Sequence, residues 1–187
     1  MEKCKIIAVA NQKGGTGKTT TASNLGNALA QANKKVLLVD FDPQANLSMS
    51  FGIDNPDELP LSMHDILTYI MDDKDLPNKD DYIQHGEKID IIPSNINLSL
   101  TEINLRDEMG GERTLSTLLE PLRKDYSYII IDTNPYLGLL TINALAACDS
   151  VIIPVSPQLW SATGLTDLLK TILKVRKKIN PHIEVEG

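Results

Sequence analysis

Short apolar runs alternate with amphipathic stretches along this chain, and the alternation predicts an α/β fold. Runs rich in Ile, Val and Leu predict five strands, at 5–10, 35–40, 89–95, 128–135 and 150–155. Runs that are apolar at successive positions are typical of parallel strands covered by helices on both faces. Apolar residues at helical spacing predict helices near 18–32, 63–69, 98–106, 112–124, 138–147 and 162–178. The order of these elements predicts a mostly parallel, twisted sheet.

The hydrophobic pattern that predicts helices is clear near the start of the chain and weak between residues 43 and 86. In the first predicted helix, the apolar residues at helical spacing are Ala22, Leu25, Leu29 and Ala32. Residues 43–86 contain only one helical pattern, and the acidic segment 72–81 is predicted to be an exposed excursion. Because no internal repeat and no boundary is visible, we expect 1–187 to form a single domain.

Composition narrows the class of protein. The chain has 187 residues, 42% of them apolar, and a net charge of −7, which argues against a generally basic, nucleic-acid-like surface. No apolar run is long enough to span a membrane, and residues 5–10 begin the first strand without a preceding signal peptide. Cys4 and Cys148 form no metal-binding pattern, so we expect reduced, buried thiols in a cytoplasmic protein.

The segment NQKGGTGKTTT, at 11–21, follows the first predicted strand and opens the first predicted helix. The usual phosphate-binding loop has glycine five positions before its Gly-Lys pair, where this chain has Gln12. An additional lysine, Lys13, precedes the glycines. A strand, a glycine-rich turn and a helix start direct several backbone N–H groups at one point, which is a site for phosphate.

Each part of this loop has an expected task. Gly14, Gly15 and Gly17 allow positive φ and close approach of the backbone to a ligand. Lys18 can reach the β- and γ-phosphates of a nucleotide, and the Thr19 hydroxyl can bind Mg²⁺.

Three carboxylates follow apolar strands, at the sheet edge where open α/β sheets bind ligands. Asp40 and Asp42 lie at the end of the second predicted strand, and Asp132 lies near the end of the fourth. An aspartate that ends an apolar strand is the second Mg²⁺ anchor expected beside a phosphate-binding loop. One such aspartate can simply cap the next helix, whereas three together with the loop indicate a nucleotide site.

Four segments resemble the ParA/Soj family of partition ATPases. They are KGGTGKTT, VLLVDFDPQANLS, IIIDTNPYLGLLTINAL and DSVIIPV. This family belongs to the P-loop proteins with a deviant Walker A motif, which also include MinD and the nitrogenase iron protein. The resemblance implies a P-loop NTPase fold, and it covers the chain from residue 5 to 187.

The resemblance assigns roles to the loop. It implies that Lys13 contacts a nucleotide across a dimer interface and stabilises charge on the transferring phosphoryl group, as an arginine finger does. Lys18 would hold the β/γ-phosphates, Thr19 would bind Mg²⁺, and Thr20 would help to hold the α-phosphate. Together, the nucleotide-binding residues would be Lys13, Gly14, Gly15, Thr16, Gly17, Lys18, Thr19 and Thr20.

The resemblance also assigns the carboxylates and the partners. Asp42 would position the attacking water, Asp40 would lie near the metal and its water, and Asp132 would be the Walker B metal anchor. The implied activity is slow, Mg²⁺-dependent ATP hydrolysis by a homodimer that forms with ATP, binds DNA without sequence preference and responds to a ParB-like partner. It implies a cytoplasmic, nucleoid-associated protein with no membrane partner.

Some features depart from the family pattern. After the fourth predicted strand the family usually has Asp-x-Pro-Pro-Ser-Leu-Gly, whereas this chain has Asn134 and Tyr136 in place of a proline and a small residue. The segment PVSPQLWSATGL lacks acidic residues that are common there. Relatives usually continue beyond a segment like IEVEG, and their continuation supplies the adenine-contacting loop and much of a DNA-binding surface. The basic residues at the end of the last predicted helix either complement the helix dipole or form part of such a surface. They are Lys170, Lys174, Arg176, Lys177 and Lys178.

Three other functions remain as alternatives. A metabolic P-loop synthase would consume ATP with a carboxylate substrate, but DPQANLS favours ParA/Soj. An electron donor like the nitrogenase iron protein needs cysteines near the dimer axis after the Walker B strand; none occurs between Asp132 and Cys148, which argues strongly against this function. The third is a regulator that binds nucleotide without hydrolysing it.

Overall fold

A seven-stranded sheet forms the centre of the computed structural model, which describes residues 3–155 and 161–187. The strands are β1 (Lys5–Val9), β2 (Val36–Phe41), β3 (Gln84–His85), β4 (Ile89–Ile92), β5 (Tyr128–Thr133), β6 (Ser150–Ile152) and β7 (Glu184–Val185). Their order across the sheet is β3-β4-β2-β5-β1-β6-β7. All neighbours are parallel except β3 and β4, so the prediction of a mostly parallel sheet is confirmed.

Helices cover both faces of the sheet. They are α1 (Lys18–Gln31), α2 (Asn46–Ser50), α3 (Met63–Met71), α4 (Lys79–Tyr82), α5 (Leu98–Asn104), α6 (Thr114–Leu119), α7 (Leu139–Ala147) and α8 (Ser161–Lys178). Short 3-10 helices occupy Pro56–Glu58, Gly111–Arg113 and Glu120–Lys124. In the described part of the chain, no helix is both long and apolar enough to cross a membrane.

Alternation of side chains along the strands divides the core into two layers. In β2, Leu37, Val39 and Phe41 face the larger layer, which α3, α5, α6, α7 and α8 complete. Val36 and Leu38 face the smaller layer, which is completed by α1. Asp40 follows Val36 and Leu38 in this alternation. The α1 layer therefore ends in carboxylates beside the loop that precedes α1.

The first predicted helix packs on the sheet through three of the four expected apolar residues and also through Gly26 and Ala30. Its buried residues are Lys18, Ala22, Gly26 and Ala30, while Leu25 and Leu29 are only partly buried. A Cβ atom at Gly26 would lie 2.9 Å from Leu38 Cδ2, so this glycine allows the close approach of α1 to β2. Ala32 lies just after the helix and is exposed.

Several short elements depart from the sequence predictions. The region 43–86 contains α2, α4 and β3 in addition to the predicted helix α3, and β7 was not predicted. The segment 72–81 is mostly exposed, as expected, although α4 begins within it. The helix expected at 112–124 is divided into one α-helix flanked by two 3-10 helices, and Pro121 is the second residue of the later one. The fourth and fifth predicted strands are shorter than expected, and they end at Thr133 and Ile152.

The cysteines confirm the expectation from the sequence. Cys4 and Cys148 are both buried and unpaired. Burial raises the pKa of Cys4 to about 11 and that of Cys148 to about 12, so both thiols stay protonated at neutral pH.

Candidate nucleotide-binding site

The loop between β1 and α1 is shaped to receive an anion. Gly15 and Gly17 have φ of +71° and +85°, which confirms the expected left-handed backbone for these two glycines but not for Gly14. The N-cap residue of α1 is Gly17, which has no side chain to bind the N–H groups of the first turn. That turn also contains no acidic residue. The N–H groups at the start of α1, at the positive end of the helix dipole, are therefore available to an anion.

A buried asparagine holds this loop in place. Asn11 Nδ2 donates to the carbonyl of Pro154 at 2.6 Å, and Asn11 Oδ1 accepts from the N–H of Lys13 at 3.0 Å. The Thr16 hydroxyl donates to the Lys13 carbonyl at 3.2 Å. Asn11 was not among the residues identified from the sequence, because its main partner lies beyond β6.

Lys18 is the first residue of α1, and its side chain is buried in the site. Its Nζ donates to the Lys13 carbonyl at 3.4 Å. Burial lowers the pKa of Lys18, and the nearby carboxylates of Asp132 and Asp42 partly oppose this effect. The ammonium group is thus held beside the loop, between backbone acceptors and carboxylates.

Asp132 is a buried carboxylate with unused acceptor atoms. It lies opposite Val9 on β1 and Asp40 on β2 in the sheet register. Neither of its oxygens accepts a hydrogen bond of normal geometry from the described residues, although Thr19 is close enough to lower its pKa. Burial has the largest effect and raises the pKa of Asp132 to about 7, with Asp40 and Asp42 adding to the rise. Such a group is expected to receive a cation or a proton.

These residues fit Mg²⁺ bound together with a nucleotide. Asp132 offers unpartnered carboxylate oxygens, and the Thr19 hydroxyl lies close to it. Within the described residues, no cluster of three or more His, Cys, Asp or Glu could hold a metal by itself. Mg²⁺ commonly keeps several waters and uses one or two protein ligands plus phosphate oxygens, so a small protein ligand set suits it.

Asp40 is placed beside Asp132 but uses its oxygens within its own loop. Its Oδ1 accepts from the N–H of Asp42 at 3.2 Å, and its Oδ2 accepts from both the N–H and the hydroxyl of Ser48 at 2.7 Å. Burial raises the pKa of Asp40 to about 6, while the bonds from Ser48 and Asp42 oppose that rise. Its carboxylate therefore shapes the segment that carries Asp42.

Asp42 borders the candidate phosphate cavity, which has a volume of about 350 Å³. Its Oδ1 accepts from the N–H of Gln44 at 3.0 Å, so the loop fixes the position of the carboxylate. The cavity is lined by Gly14, Gly15, Gly17, Lys18, Thr19, Thr20, Asp42, Gln44, Asn46 and Pro135. A cavity of about 530 Å³ at the amino ends of the strands, beside Lys35 and Tyr126, includes none of these residues. Gln44, Asn46 and Pro135 were not identified from the sequence as site residues.

Known proteins resemble this chain in sequence over nearly its whole length. A family model described as an AAA domain matches residues 4–185. The sporulation initiation inhibitor protein Soj of Bacillus subtilis is 46% identical over 185 residues, which cover 98% of this chain and 70% of that protein. The chain belongs to the ParA/Soj family of P-loop NTPases. The chromosome partitioning protein ParA of Caulobacter vibrioides is 39% identical, over 98% of this chain and 67% of that protein.

Several solved structures share the fold of this chain. A plasmid partition protein from Borrelia burgdorferi has a TM-score of 0.80 and 32% identity, over 98% of this chain and 77% of that chain. A cobyrinic acid a,c-diamide synthase from Mycobacterium smegmatis, with bound ADP and magnesium, has a TM-score of 0.89 and 37% identity, over 99% and 72%. The ATP complex of a Cyanothece McdA variant has a TM-score of 0.89 and 26% identity, over 100% and 70%. The chain spans only part of the length of these curated relatives, with 56% of a Mycobacterium tuberculosis protein that is 44% identical and 70% of Soj.

The departure from the ParA/Soj pattern after β5 has a structural role. Asn134 is buried, and its Oδ1 lies 3.1 Å from the hydroxyl of Thr141, in the first turn of α7. The same hydroxyl lies 2.6 Å from the carbonyl of Tyr136. Asn134 thus contacts α7 through its side chain at the position where the family has a proline, and Tyr136 is 61% exposed. The other departure, in PVSPQLWSATGL, falls partly on 156–160, which lie outside the described residues.

Proposed function

We propose that this chain is a single ATPase domain of the ParA/Soj type, which binds ATP with Mg²⁺ and hydrolyses it slowly. The observation that carries the proposal is the buried Asp132, whose oxygens accept no hydrogen bond of normal geometry from the described residues, beside Lys18 and the start of α1. A buried cation and the helix N-terminus border the phosphate cavity, and Asp132 lies close to Lys18 and Thr19. Phosphoryl transfer requires such an arrangement.

The residues of the chain have distinct tasks in this proposal. The glycine loop and Lys18 bind the phosphates, with Thr20 near the α-phosphate, and Asp42 orients the attacking water. Thr19 and Asp132 hold Mg²⁺, which when bound neutralises charge on phosphate oxygens. Lys13 reaches the nucleotide of a second copy, so that ATP occupancy drives dimerisation.

We also propose a role for this activity in DNA partition. We infer that the ATP-bound dimer binds duplex DNA without sequence preference and that a ParB-like partner accelerates hydrolysis, in plasmid or chromosome partitioning. The relatives named Soj and ParA support this inference. It places the protein in the cytoplasm, associated with the nucleoid.

ATP turnover with and without duplex DNA tests the proposal. We expect slow release of phosphate that requires Mg²⁺, and loss of ATP affinity in Lys18→Ala because the variant lacks the buried cation of the loop. Calorimetry measures the affinity, and the melting transition of the variant checks its fold. Unchanged ATP affinity in a folded Lys18→Ala would reject the site.

A synthase is the second candidate, because a structure named as a cobyrinic acid a,c-diamide synthase is 37% identical to this chain. Such an enzyme would form ADP in proportion to a carboxylate substrate, with no response to DNA. Turnover that requires cobyrinic acid and an ammonia donor would favour this function over the partition ATPase.

A further inference from the structure

The loop that carries Asp42 is fastened at both ends to one buried carboxylate. Asp40 Oδ1 accepts the N–H of Asp42, where the loop begins, and Asp40 Oδ2 accepts the N–H and the hydroxyl of Ser48, within α2. Asp40 and Ser48 are both completely buried. A buried carboxylate that accepts several bonds gives strong, direction-specific contacts, because hydrogen bonds to a charged acceptor are about twice as strong as neutral ones.

Ser48 connects this loop to a second strand, β4. Its hydroxyl donates to Asp40 and accepts from the N–H of Ser94 at 3.0 Å, and Ser94 lies just beyond β4. Ser94 is also completely buried. One hydroxyl therefore joins the end of β2, helix α2 and the end of β4.

The loop needs this fastening because its own structure is weak. Helix α2 has only the residues Asn46–Ser50, and its N-cap residue, Ala45, has a left-handed backbone with φ of +52°. This conformation is unfavourable for a non-glycine residue, and it persists only where surrounding contacts enforce it. Ala45 lies between Gln44, whose N–H holds Asp42 Oδ1, and Asn46, which lines the cavity.

We propose that Ser48 is a positioning residue for ATP hydrolysis, which closes the loop 42–48 on Asp40 and thereby sets the place of the Asp42 carboxylate. This inference rests on the proposed ATPase function. Ser48 does not line the phosphate cavity, so it acts through Asp42 rather than on the nucleotide. Asp40, in turn, serves as the acceptor of this fastening.

Kinetics of Ser48→Ala test the role, with Ser50→Ala as the matched control. Ser50 is also in α2, but its hydroxyl donates to the carbonyl of Leu47 at 2.7 Å and does not contact Asp40. We expect Ser48→Ala to lower kcat by about 10-fold or more, because small displacements of a catalytic group cost up to about 100-fold. KM for ATP should stay within about threefold of wild type, since the phosphate contacts are intact. Ser50→Ala should keep both constants, and Ser48→Thr should recover turnover because it retains the hydroxyl.

Folding of each variant is checked by its melting transition. If Ser48→Ala loses that transition, Ser48→Cys replaces it, since cysteine has a similar size and only a weak donor; a reduced kcat is expected again. A folded Ser48→Ala or Ser48→Cys with wild-type kcat would overturn the proposal, as would an equal loss in Ser50→Ala.

Amide hydrogen exchange separates this inference from the proposed activity. The N–H groups of Asp42, Gln44 and Ser48 should exchange at least about 10-fold faster in Ser48→Ala than in wild type, while those of α1 stay unchanged. If the wild-type chain does not hydrolyse ATP, the proposed function fails, and exchange alone then decides whether Ser48 fastens the loop. Unchanged exchange at these amides would reject the fastening itself.

Discussion

At the scale of single residues, Asp132 shows most clearly why this site is expected to bind a cation. A buried carboxylate without hydrogen-bond donors costs free energy in the ligand-free protein, and that cost falls when a cation arrives. Asp149 shows the opposite arrangement: Arg123 binds it through two nitrogens at 2.8 and 3.0 Å, and the N–H of Ile6 donates to it at 2.7 Å. The first aspartate is available to a ligand, whereas the second is fully used by the fold.

The stability of the ligand-free protein should therefore fall with rising pH because of Asp132. Its folded pKa of about 7 is above the unfolded value near 4, so its contribution is complete below pH 4 and is lost as pH rises through 7. Asp132→Asn, which mimics the neutral acid, should raise the free energy of unfolding at pH 8 by at most about 4 kcal/mol and change it little at pH 4. Urea denaturation at the two pH values measures the difference.

Asp149→Asn is the matched control for that prediction. Burial by itself would raise the pKa of Asp149, but Arg123 and the Ile6 N–H hold it below its ordinary value. Its contribution is present above the unfolded pKa and is lost as pH falls through the folded pKa, so Asp149→Asn should destabilise the protein at pH 8. If both variants shift stability in the same direction at pH 8, the explanation from burial and pairing is wrong.

Residue identities at the site could be anticipated only where the motif itself carries the chemistry. Lys18 and Asp132 follow from a glycine loop and a strand end, and the structure brings them close enough for each to shift the pKa of the other. Asn11 and Ser48 could not be anticipated, because their roles depend on Pro154 and Ser94, which the fold brings close from distant parts of the chain.

At the scale of elements, long apolar strands and helices were predictable and short ones were not. β1, β2 and β5 are buried along nearly their whole length, so their composition alone identifies them. The short elements β3, β7 and α2 have too few residues to show a period, and neighbouring strands and side chains determine their conformation. Three of the four apolar residues predicted for α1, Ala22, Leu25 and Leu29, do pack on the core, but the sequence did not show that Gly26 makes a very close contact with the sheet.

Enlarging Gly26 should separate α1 from the sheet. A Cβ there would lie 2.9 Å from Leu38 Cδ2 and 3.7 Å from Ile130 Cδ1, and both side chains are fully buried and cannot move aside freely. Gly26→Val should lower the free energy of unfolding by about 1–3 kcal/mol through overpacking. Ala28→Val, at an exposed position of the same helix, should cost about 0.5 kcal/mol from helix propensity alone. Equal losses in the two variants, measured by urea denaturation, would show that α1 does not pack closely at Gly26.

At the scale of the whole molecule, the candidate phosphate cavity lies at the carboxyl edge of the sheet and is open on one side. Gly14 and Gly15 are exposed, and a Cβ atom added at either position would meet no other atom of the described residues within 4 Å. The backbone of Lys13 is held by Asn11 and Thr16, so its side chain starts from a fixed point on this open edge. A second copy of the chain could cover this open side, as the proposed dimer requires.

Mixing two inactive variants tests whether Lys13 acts on the nucleotide of a second copy. An Asp42→Ala subunit keeps Lys13 but cannot orient water, whereas a Lys13→Ala subunit has an intact Asp42 and no lysine to donate. Each variant alone should bind ATP and hydrolyse it poorly. In a heterodimer, one site combines the intact Asp42 of one subunit with the Lys13 of the other, so the mixture should recover up to about half of the activity per dimer, because transition-state stabilisation depends on both groups at one site. Native mass spectrometry in the presence of ATP measures the heterodimers, and phosphate release measures turnover. Heterodimers that form but remain inactive would mean that Lys13 acts within its own subunit, and recovery without any heterodimer would rule out the shared site.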